Sequence, residues 1–199
     1  MIIEPLPLDF WMNTEDRDLA GCCGLFCGIC PRYQSKAPSR CPGCQLGEQH
    51  SYCSIYRCCQ RKGVFTCAEC DQFPCERLLR VLGVERGLDS FVSHRPAIPN
   101  LEKIREIGLE AHLGDQGERR RLVEELIAGY NDGRSMTFFC SAGALLPPGK
   151  LGKTLKAIRE ETREEMNPKG RARLARKAIG ELARVEDVDL RLRRSGGGN

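Results

Sequence analysis

Apolar residues recur at intervals of three and four through most of the second half of the chain, a spacing typical of amphipathic helices. Helices are expected after Asn100, Asp115, Pro147-Pro-Gly149 and Pro168, where a capping side chain or a proline favours a helix start. Asn131-Asp-Gly133 is expected to end the second of them. The expected inward-facing residues are Leu101, Ile104, Ile107, Ala111, Leu122, Val123, Leu126, Ile127, Tyr130, Leu151, Leu155, Ile158, Leu174, Ala178 and Leu182.

Four shorter segments carry other patterns. Residues 76–82 predict a short amphipathic helix that ends at Gly83, and residues 94–100 resemble a linker. Residues 136–146 are almost wholly apolar, which fits either a buried strand or a buried helix. Val188, Leu190 and Leu192 alternate with charged residues, so a short final strand is expected.

The first half of the chain has a different texture. Residues 1–21 form a lead-in in which Pro5 and Pro7 disfavour helix, and residues 22–84 are rich in cysteine, proline and glycine. The few apolar side chains of that module make too small a core to fold without additional cross-links. We therefore expect a mainly α fold with little β. A small, irregular, metal-stapled N-terminal module packs on a helical region at 85–194, and 195–199 form a disordered tail.

Composition and charge limit the cellular location and the partners that the sequence predicts. No apolar run is long enough to span a membrane, and the N-terminus lacks the pattern of a signal peptide, so a cytoplasmic protein without a membrane partner is expected. The formal net charge is +4, and the basic surplus lies in the second half. Nucleic-acid binding through that basic C-terminal region is one possible function, with the candidate residues Arg171, Arg173, Arg176, Lys177, Arg191, Arg193 and Arg194.

Cysteine carries the strongest chemical signal. The chain has 13 cysteines, and in a reducing compartment such a density favours metal ligands over disulfides. Pairs separated by two residues can direct two sulfurs at one ion, as structural zinc sites require. The expected ligands are Cys23, Cys27, Cys30, Cys41, Cys44, Cys53, Cys58, Cys67, Cys70 and Cys75. Cys22, Cys59 and Cys140 are interpreted as non-ligands.

Ten ligands do not divide evenly among closed four-thiolate sites. Two zinc ions would use eight of them, unless thiolates are shared or His50 replaces one. The spacing leaves open which cysteines pair. It also leaves open an iron–sulfur alternative, because iron and zinc both accept tetrahedral sulfur. That alternative is a 4Fe-4S cluster in a protein without the β/α barrel of radical S-adenosylmethionine enzymes.

The module resembles a known family. The segments Cys23-Gly-Leu-Phe-Cys27-Gly-Ile-Cys30-Pro, Cys41-Pro-Gly-Cys44, Cys53-Ser-Ile-Tyr-Arg-Cys58 and Cys67-Ala-Glu-Cys70-Asp-Gln-Phe-Pro-Cys75 are similar to the domain-of-unknown-function 3795 family. That resemblance implies a bacterial or archaeal, zinc-binding protein and supports the ten cysteines named above. It implies no activity.

Two classes of function follow as hypotheses. The first is a non-enzymatic zinc-stabilised module that serves as an interaction or adaptor surface for a protein partner. It is favoured because four-thiolate sites have no open position, and the three histidines show no catalytic zinc spacing. The alternative is a redox or sulfur-handling protein that uses an iron–sulfur cluster or reactive thiols.

Overall fold

The fold is mainly helical, as the sequence predicted, with very little β structure in the part of the chain described. The computed structural model describes residues 14–47 and 52–194. The expected lead-in before residue 14, the tail at 195–199 and His50 lie outside them. The α-helices are α1 (Thr14–Asp18), α2 (Pro31–Gln34), α3 (Ser54–Lys62), α4 (Glu76–Val81), α5 (Ala97–Ile107), α6 (Leu109–Tyr130), α7 (Met136–Leu145), α8 (Pro148–Glu161) and α9 (Pro168–Val185).

The C-terminal helices pack around α6, which contacts α5, α7, α8 and α9. Their shared core contains Leu126, Phe139, Leu151, Leu155 and Ile179, all almost completely buried. Two expected stripes are confirmed: Leu151, Leu155 and Ile158 on α8, and Val123 with Leu126 on α6. On α9 the most buried stripe is instead Ala172, Ala175, Ile179 and Ala183, because small side chains let that helix approach α8 closely.

The cysteine-rich region packs against these helices rather than standing apart. Phe26 and Ile29 share a buried cluster with Val123 of α6 and Cys140 of α7. A second cluster joins Ile55 of α3 and Leu78 of α4 to Leu101 of α5. The predicted arrangement, a cysteine-rich N-terminal module on a C-terminal helical region, is therefore confirmed.

Gly24 makes a close contact between the two parts. Its φ of +85° is accessible mainly to glycine, and a Cβ there would overlap the Ala97 carbonyl and the Leu101 side chain. The Asn100 amide donates to the Gly24 carbonyl oxygen at 2.8 Å. Gly24 thus lets the N-terminus of α5 lie directly on the module.

The predicted start of α5 is wrong. Asn100 is not an N-cap, because α5 begins three residues earlier at Ala97 and the Asn100 side chain bonds to Gly24 instead. Pro99 is compatible with this start, since the first turn of a helix needs no N–H from that residue. The linker therefore ends at Pro96.

The boundary between α5 and α6 also differs from the prediction. The chain turns at Gly108, whose φ is +85°, and α6 begins at Leu109. Asp115 lies inside α6, where it forms an ion pair with Lys103 of α5. The predicted helix start after Asp115 is therefore wrong. The predicted end is confirmed, since α6 stops at Tyr130.

Two ambiguous segments resolve differently. Residues 136–145 form helix α7, buried between α6, α8, α9 and the cysteine-rich region. The expected final strand is absent from the described residues, and Val188 to Leu192 run as irregular chain over α7 and α9. That segment buries Leu190 without a neighbouring strand, and a strand without a neighbour has no partner for its backbone groups. None of the helices described has the length and apolar character needed to cross a membrane.

Gly143 offers a test of the packing between α6 and α7. A Cβ at Gly143 would overlap the Cγ2 atom of Val123, a stiff and fully buried side chain. We expect Gly143→Ala to lower the free energy of unfolding by about 1–3 kcal/mol. Gly180→Ala in α9 is the matched control. It has open space around its Cβ and should raise the free energy by about 0.5–1 kcal/mol. Urea denaturation of both variants checks this, and equal shifts would contradict the packing.

His112 of α6 makes the fold sensitive to acid. Its buried Nδ1 has no hydrogen-bond partner among the described residues. Burial lowers the pKa of His112 to about 4. The nearby positive charges of Lys103 and Arg119 add to this lowering, and the negative charge of Asp115 opposes it. The imidazole of the unfolded chain takes up a proton near pH 6.5, whereas the buried imidazole does so only near pH 4. We therefore expect the free energy of unfolding to be highest above about pH 6.5 and to decline as the pH falls towards 4.

The test compares the native chain with His112→Leu across that pH range. The native protein should lose about 1–3 kcal/mol more of its free energy of unfolding between about pH 6.5 and 4 than the variant does. Titration of carboxylates and thiols is common to both proteins, so the difference isolates His112. Parallel pH profiles from urea denaturation would contradict this assignment.

Candidate metal centre

The first cysteine pair is formed by a tight 3-10 turn, Cys27–Ile29. The Cys30 amide donates to the Cys27 carbonyl oxygen at 2.9 Å, which brings the two residues onto one side of the turn. Phe26 anchors the turn in the buried cluster with α6 and α7. The sequence Cys-Gly-Ile-Cys therefore becomes a rigid knuckle with two sulfurs at its ends.

A second pair, Cys41 and Cys44, folds back onto this knuckle. The Cys44 amide donates to the Cys27 Sγ at 3.2 Å, and the Cys41 amide donates to the Arg32 carbonyl oxygen at 3.1 Å. Gly43 allows the approach, because its φ is +113° and a Cβ would press on Leu19 after α1. These four cysteines (Cys27, Cys30, Cys41 and Cys44) are called the first thiol group.

Neighbouring thiols raise the pKa of two members of the first thiol group. The hydrogen bond with the Cys44 side chain, followed by burial and the Cys44 charge, raises the pKa of Cys27 well above its ordinary value. Burial raises the pKa of Cys30, and the neighbouring Cys41 and Cys44 add to that rise. Four thiolates in one place would repel each other unless a cation lay among them.

Four further cysteines, called the second thiol group, line a small cavity of about 30 Å³ beside α3 and α4: Cys58, Cys67, Cys70 and Cys75. The Cys67–Glu69 segment is again a 3-10 turn, and the Cys70 amide donates to the Cys67 carbonyl oxygen at 3.2 Å. Ile55 and Leu78 form part of the apolar wall. The same knuckle geometry thus occurs twice in the chain.

A basic side chain lies against the second thiol group. Lys62 Nζ donates to Cys70 Sγ at 3.2 Å and to the Gln72 side chain at 3.1 Å, and Arg77 lines the same cavity. Lys62 therefore places a positive charge beside the second thiol group. The sequence pattern did not indicate Lys62, because no local spacing connects it with a cysteine eight residues further on.

A capping box holds the second knuckle in place. The Glu69 carboxylate accepts from the Phe65 and Thr66 amides, each at 3.1 Å, and the buried Thr66 side chain caps the turn in return. The signal was present in the sequence, since Thr followed by Glu three residues later is typical of this motif.

Two of the ten predicted ligands lie outside both groups. Burial, with the charges of Cys44 and Cys53, raises the pKa of Cys23 to about 12. Cys53 is the N-cap of α3, where its Sγ accepts from the Tyr56 amide at 3.5 Å. The structure thus leaves over Cys23 and Cys53, the number that two closed four-thiolate sites would leave.

The three cysteines interpreted as non-ligands are buried. Cys22 and Cys59 lie in the cluster with Ile55, and the Cys59 and Cys67 sulfurs are 3.8 Å apart. Cys59 also lines the cavity of the second thiol group. Cys140 lies in the core on α7, and burial raises its pKa. All thirteen cysteines are free thiols.

The sulfurs approach one another without converging. Within residues 14–47 and 52–194, no three His, Cys, Asp or Glu side chains already stand around a common point as metal ligands do. His94 lies elsewhere, with its ring hydrogen-bonded to Ser90 and to the Leu82 carbonyl oxygen. Each thiol group would need side-chain rotation to close on an ion.

The capping box can be tested by mutation. Glu69→Ala removes the acceptor of two amides and should lower the free energy of unfolding by about 1 kcal/mol, while Glu69→Gln should retain part of it. Glu76→Ala is the control, since that exposed carboxylate has only a 3.9 Å contact with Arg80 and should change stability by less than about 0.5 kcal/mol. Equal urea midpoints for Glu69→Ala and Glu76→Ala would contradict the capping role.

Comparison with known proteins places the first part of the chain in a family. Residues 19–80 match the family described as Protein of unknown function (DUF3795), which confirms the resemblance seen in the cysteine pattern. The matched segment contains all the members of both thiol groups. No curated protein and no solved structure matches the chain.

Proposed function

We propose that residues 19–80, which belong to the DUF3795 family, form a module stapled by two structural zinc ions, one in each thiol group. The observation that carries the proposal is the repeated knuckle. Each 3-10 turn presents a Cys-x2-Cys pair, and each pair is joined by two further cysteines: Cys41 and Cys44 in the first group, Cys58 of α3 and Cys75 before α4 in the second. Two pairs of thiolates make the closed tetrahedral set of a structural zinc site.

The donor chemistry of both groups fits zinc. In the first, Cys27, Cys30, Cys41 and Cys44 supply four soft thiolates, and a bound cation would relieve their mutual repulsion. In the second, the cavity of about 30 Å³ has room for a single small ion, and five cysteines line it: the four members of the group and Cys59. Lys62 Nζ donates to Cys70 Sγ beside this cavity.

Cys58 is a better candidate than Cys59 for the second site. Both thiols line the cavity, but consecutive residues of α3 point in different directions, so we expect one ion to take only one of them. Cys59 interacts with Cys22 and lies in the apolar cluster with Ile55. The pKa of Cys22 is raised by its side-chain hydrogen bond with Cys59 and, to a smaller extent, by burial. Buried thiols of raised pKa are poor nucleophiles, which weighs against the thiol-redox alternative.

The ions would act as cross-links rather than as reagents. A four-thiolate site has no coordination position for water or substrate, so its contribution is folding free energy. The first ion would tie the loop at 41–44 to the knuckle on α6, and the second would tie α3 to α4. The module would then present its outer surface, including the exposed Tyr52 and Leu46, to a partner.

Metal stoichiometry tests the assignment. Protein purified without added metal should contain about two zinc ions per chain by mass spectrometry, on the counting of four thiolates to an ion. Cys30→Ser and Cys70→Ser should each lower that content to about one, because each removes a ligand from a different site. Cys53→Ser is the matched control and should keep about two.

Other outcomes would identify the alternatives. Iron with labile sulfide and absorption in the visible range would replace zinc by an iron–sulfur cluster. Loss of an ion in Cys59→Ala but not in Cys58→Ala would move the second site to Cys59. Unchanged zinc content in both Cys30→Ser and Cys70→Ser would exclude both proposed sites.

Removal of the metal should unfold the module. A chelator combined with a thiol reagent should reduce the helical circular dichroism signal and open residues 19–80 to proteolysis, since metal binding and folding are coupled in such small modules. Zinc should restore both signals once the chelator and a reversible thiol reagent are removed. Identical dichroism and proteolysis after complete metal removal would refute the staple.

A further inference from the structure

An open groove of about 590 Å³ lies between α3 and α4, on the outer side of the cysteine-rich module. Its lining is dominated by arginine, and it consists of Ser54, Arg57, Gln60, Arg61, Arg77, Arg80 and Val81. The described residues contribute no carboxylate to it. This surface, called the arginine groove, differs from the basic C-terminal region that the sequence suggested.

Helical spacing explains why the guanidinium groups face one groove. Ser54, Arg57 and Arg61 are separated by three and four residues, so they share one face of α3. Arg77 and Arg80 are three residues apart on α4, which packs against α3. Two pairs of arginines therefore line opposite sides of the same groove.

These arginines are available to a ligand. Among the described residues, the guanidinium groups of Arg57, Arg61 and Arg77 have no hydrogen-bond or ion-pair partner, and that of Arg80 has only a 3.9 Å contact with a Glu76 side chain that is 90% exposed. Such an exposed pair contributes little and competes weakly with a ligand. Of these four arginines only Arg77 also lines the cavity of the second thiol group. Neutralisation of thiolate charge therefore does not explain why the other three arginines lie here.

Four of the C-terminal arginines are used within the molecule instead. Arg193 forms an ion pair with Asp89 at 2.9 Å, and Arg191 forms one with Asp189 at 2.9 Å. Arg171 donates to two backbone carbonyl oxygens, and the Arg176 guanidinium lies over the Phe138 ring. The arginine groove differs from that region because its four guanidinium groups line one concave surface.

We propose that the arginine groove binds the phosphate backbone of a nucleic acid. Arginine forks match phosphate oxygens in pairs, and hydroxyl and amide groups such as those of Ser54 and Gln60 are common phosphate contacts. A protein partner would instead require an apolar or aromatic anchor at the centre, and in the described part of the chain Val81 is the only apolar side chain lining this groove. The exposed Tyr52, two residues before Ser54, offers one ring for a base.

The binding surface rests on the proposed metal sites. Cys58 lies on α3 and Cys75 directly precedes α4, so a zinc ion in the second thiol group would hold the two sides of the groove together. Zinc content must therefore be measured in every variant used below. That measurement separates loss of the groove from loss of the staple.

Fluorescence anisotropy with labelled single-stranded and double-stranded oligonucleotides of mixed sequence tests the proposal on the full chain. The double variant Arg57→Gln/Arg61→Gln should weaken binding about tenfold or more at about 50 mM salt. Its logarithmic salt slope should fall by about 1.4 for single strands or about 1.8 for duplex, the value for two lost phosphate contacts. Zinc content should match that of the native chain.

The matched control removes the same charge from the C-terminal region. Arg173→Gln/Lys177→Gln lies on the exposed face of α9 and should change the affinity less than about twofold, as for charges away from the contact. Absence of binding by the native chain at about 50 mM salt would overturn the proposal. Equal losses in both double variants, or displacement by polyglutamate at the same charge concentration as nucleic acid, would also overturn it. A native chain that binds nucleic acid but contains no zinc would refute the staple and not the groove.

Discussion

The sulfur atoms of the two thiol groups are packed close together, and the cysteine-rich module is built around them. Two groups of four thiols are drawn together by backbone geometry, each around a 3-10 knuckle, in a region with few apolar side chains. Clustered thiolates repel one another, and a small core cannot offset that repulsion. The proposed zinc ions answer both difficulties, because they turn the repelling groups into cross-links.

Electrostatics and fold are connected through α3 and α4. The side of α3 that carries Cys58 and Ile55 faces the thiols and the core, while the side that carries Arg57 and Arg61 faces solvent. Lys62, at the end of the same helix, contacts Cys70. A nine-residue helix therefore serves the interior, the proposed metal site and the proposed binding surface with three of its faces.

Local patterns predicted more of this structure than long-range ones. The stripe on α8 and the two knuckle pairs follow from spacing alone, because the residues that cooperate lie within one or two turns. The partition of cysteines into two groups did not follow, since it depends on how distant segments fold together. Asn100 was misjudged for the same reason: its side chain serves Gly24, 76 residues away, and not its own helix. The final strand was wrong because alternation predicts an extended segment but not a neighbouring strand.

The contact at Gly24 has a consequence for the limits of the family segment. Its match ends at residue 80, but Ile55 and Leu78 inside it are covered by Leu101, and the Gly24 carbonyl is bonded to Asn100. An excised segment would expose the apolar face that α5 covers and leave a buried carbonyl without its donor. The unit that can fold alone is therefore expected to be larger than the unit that the cysteines define, and to include α5, which closes over them.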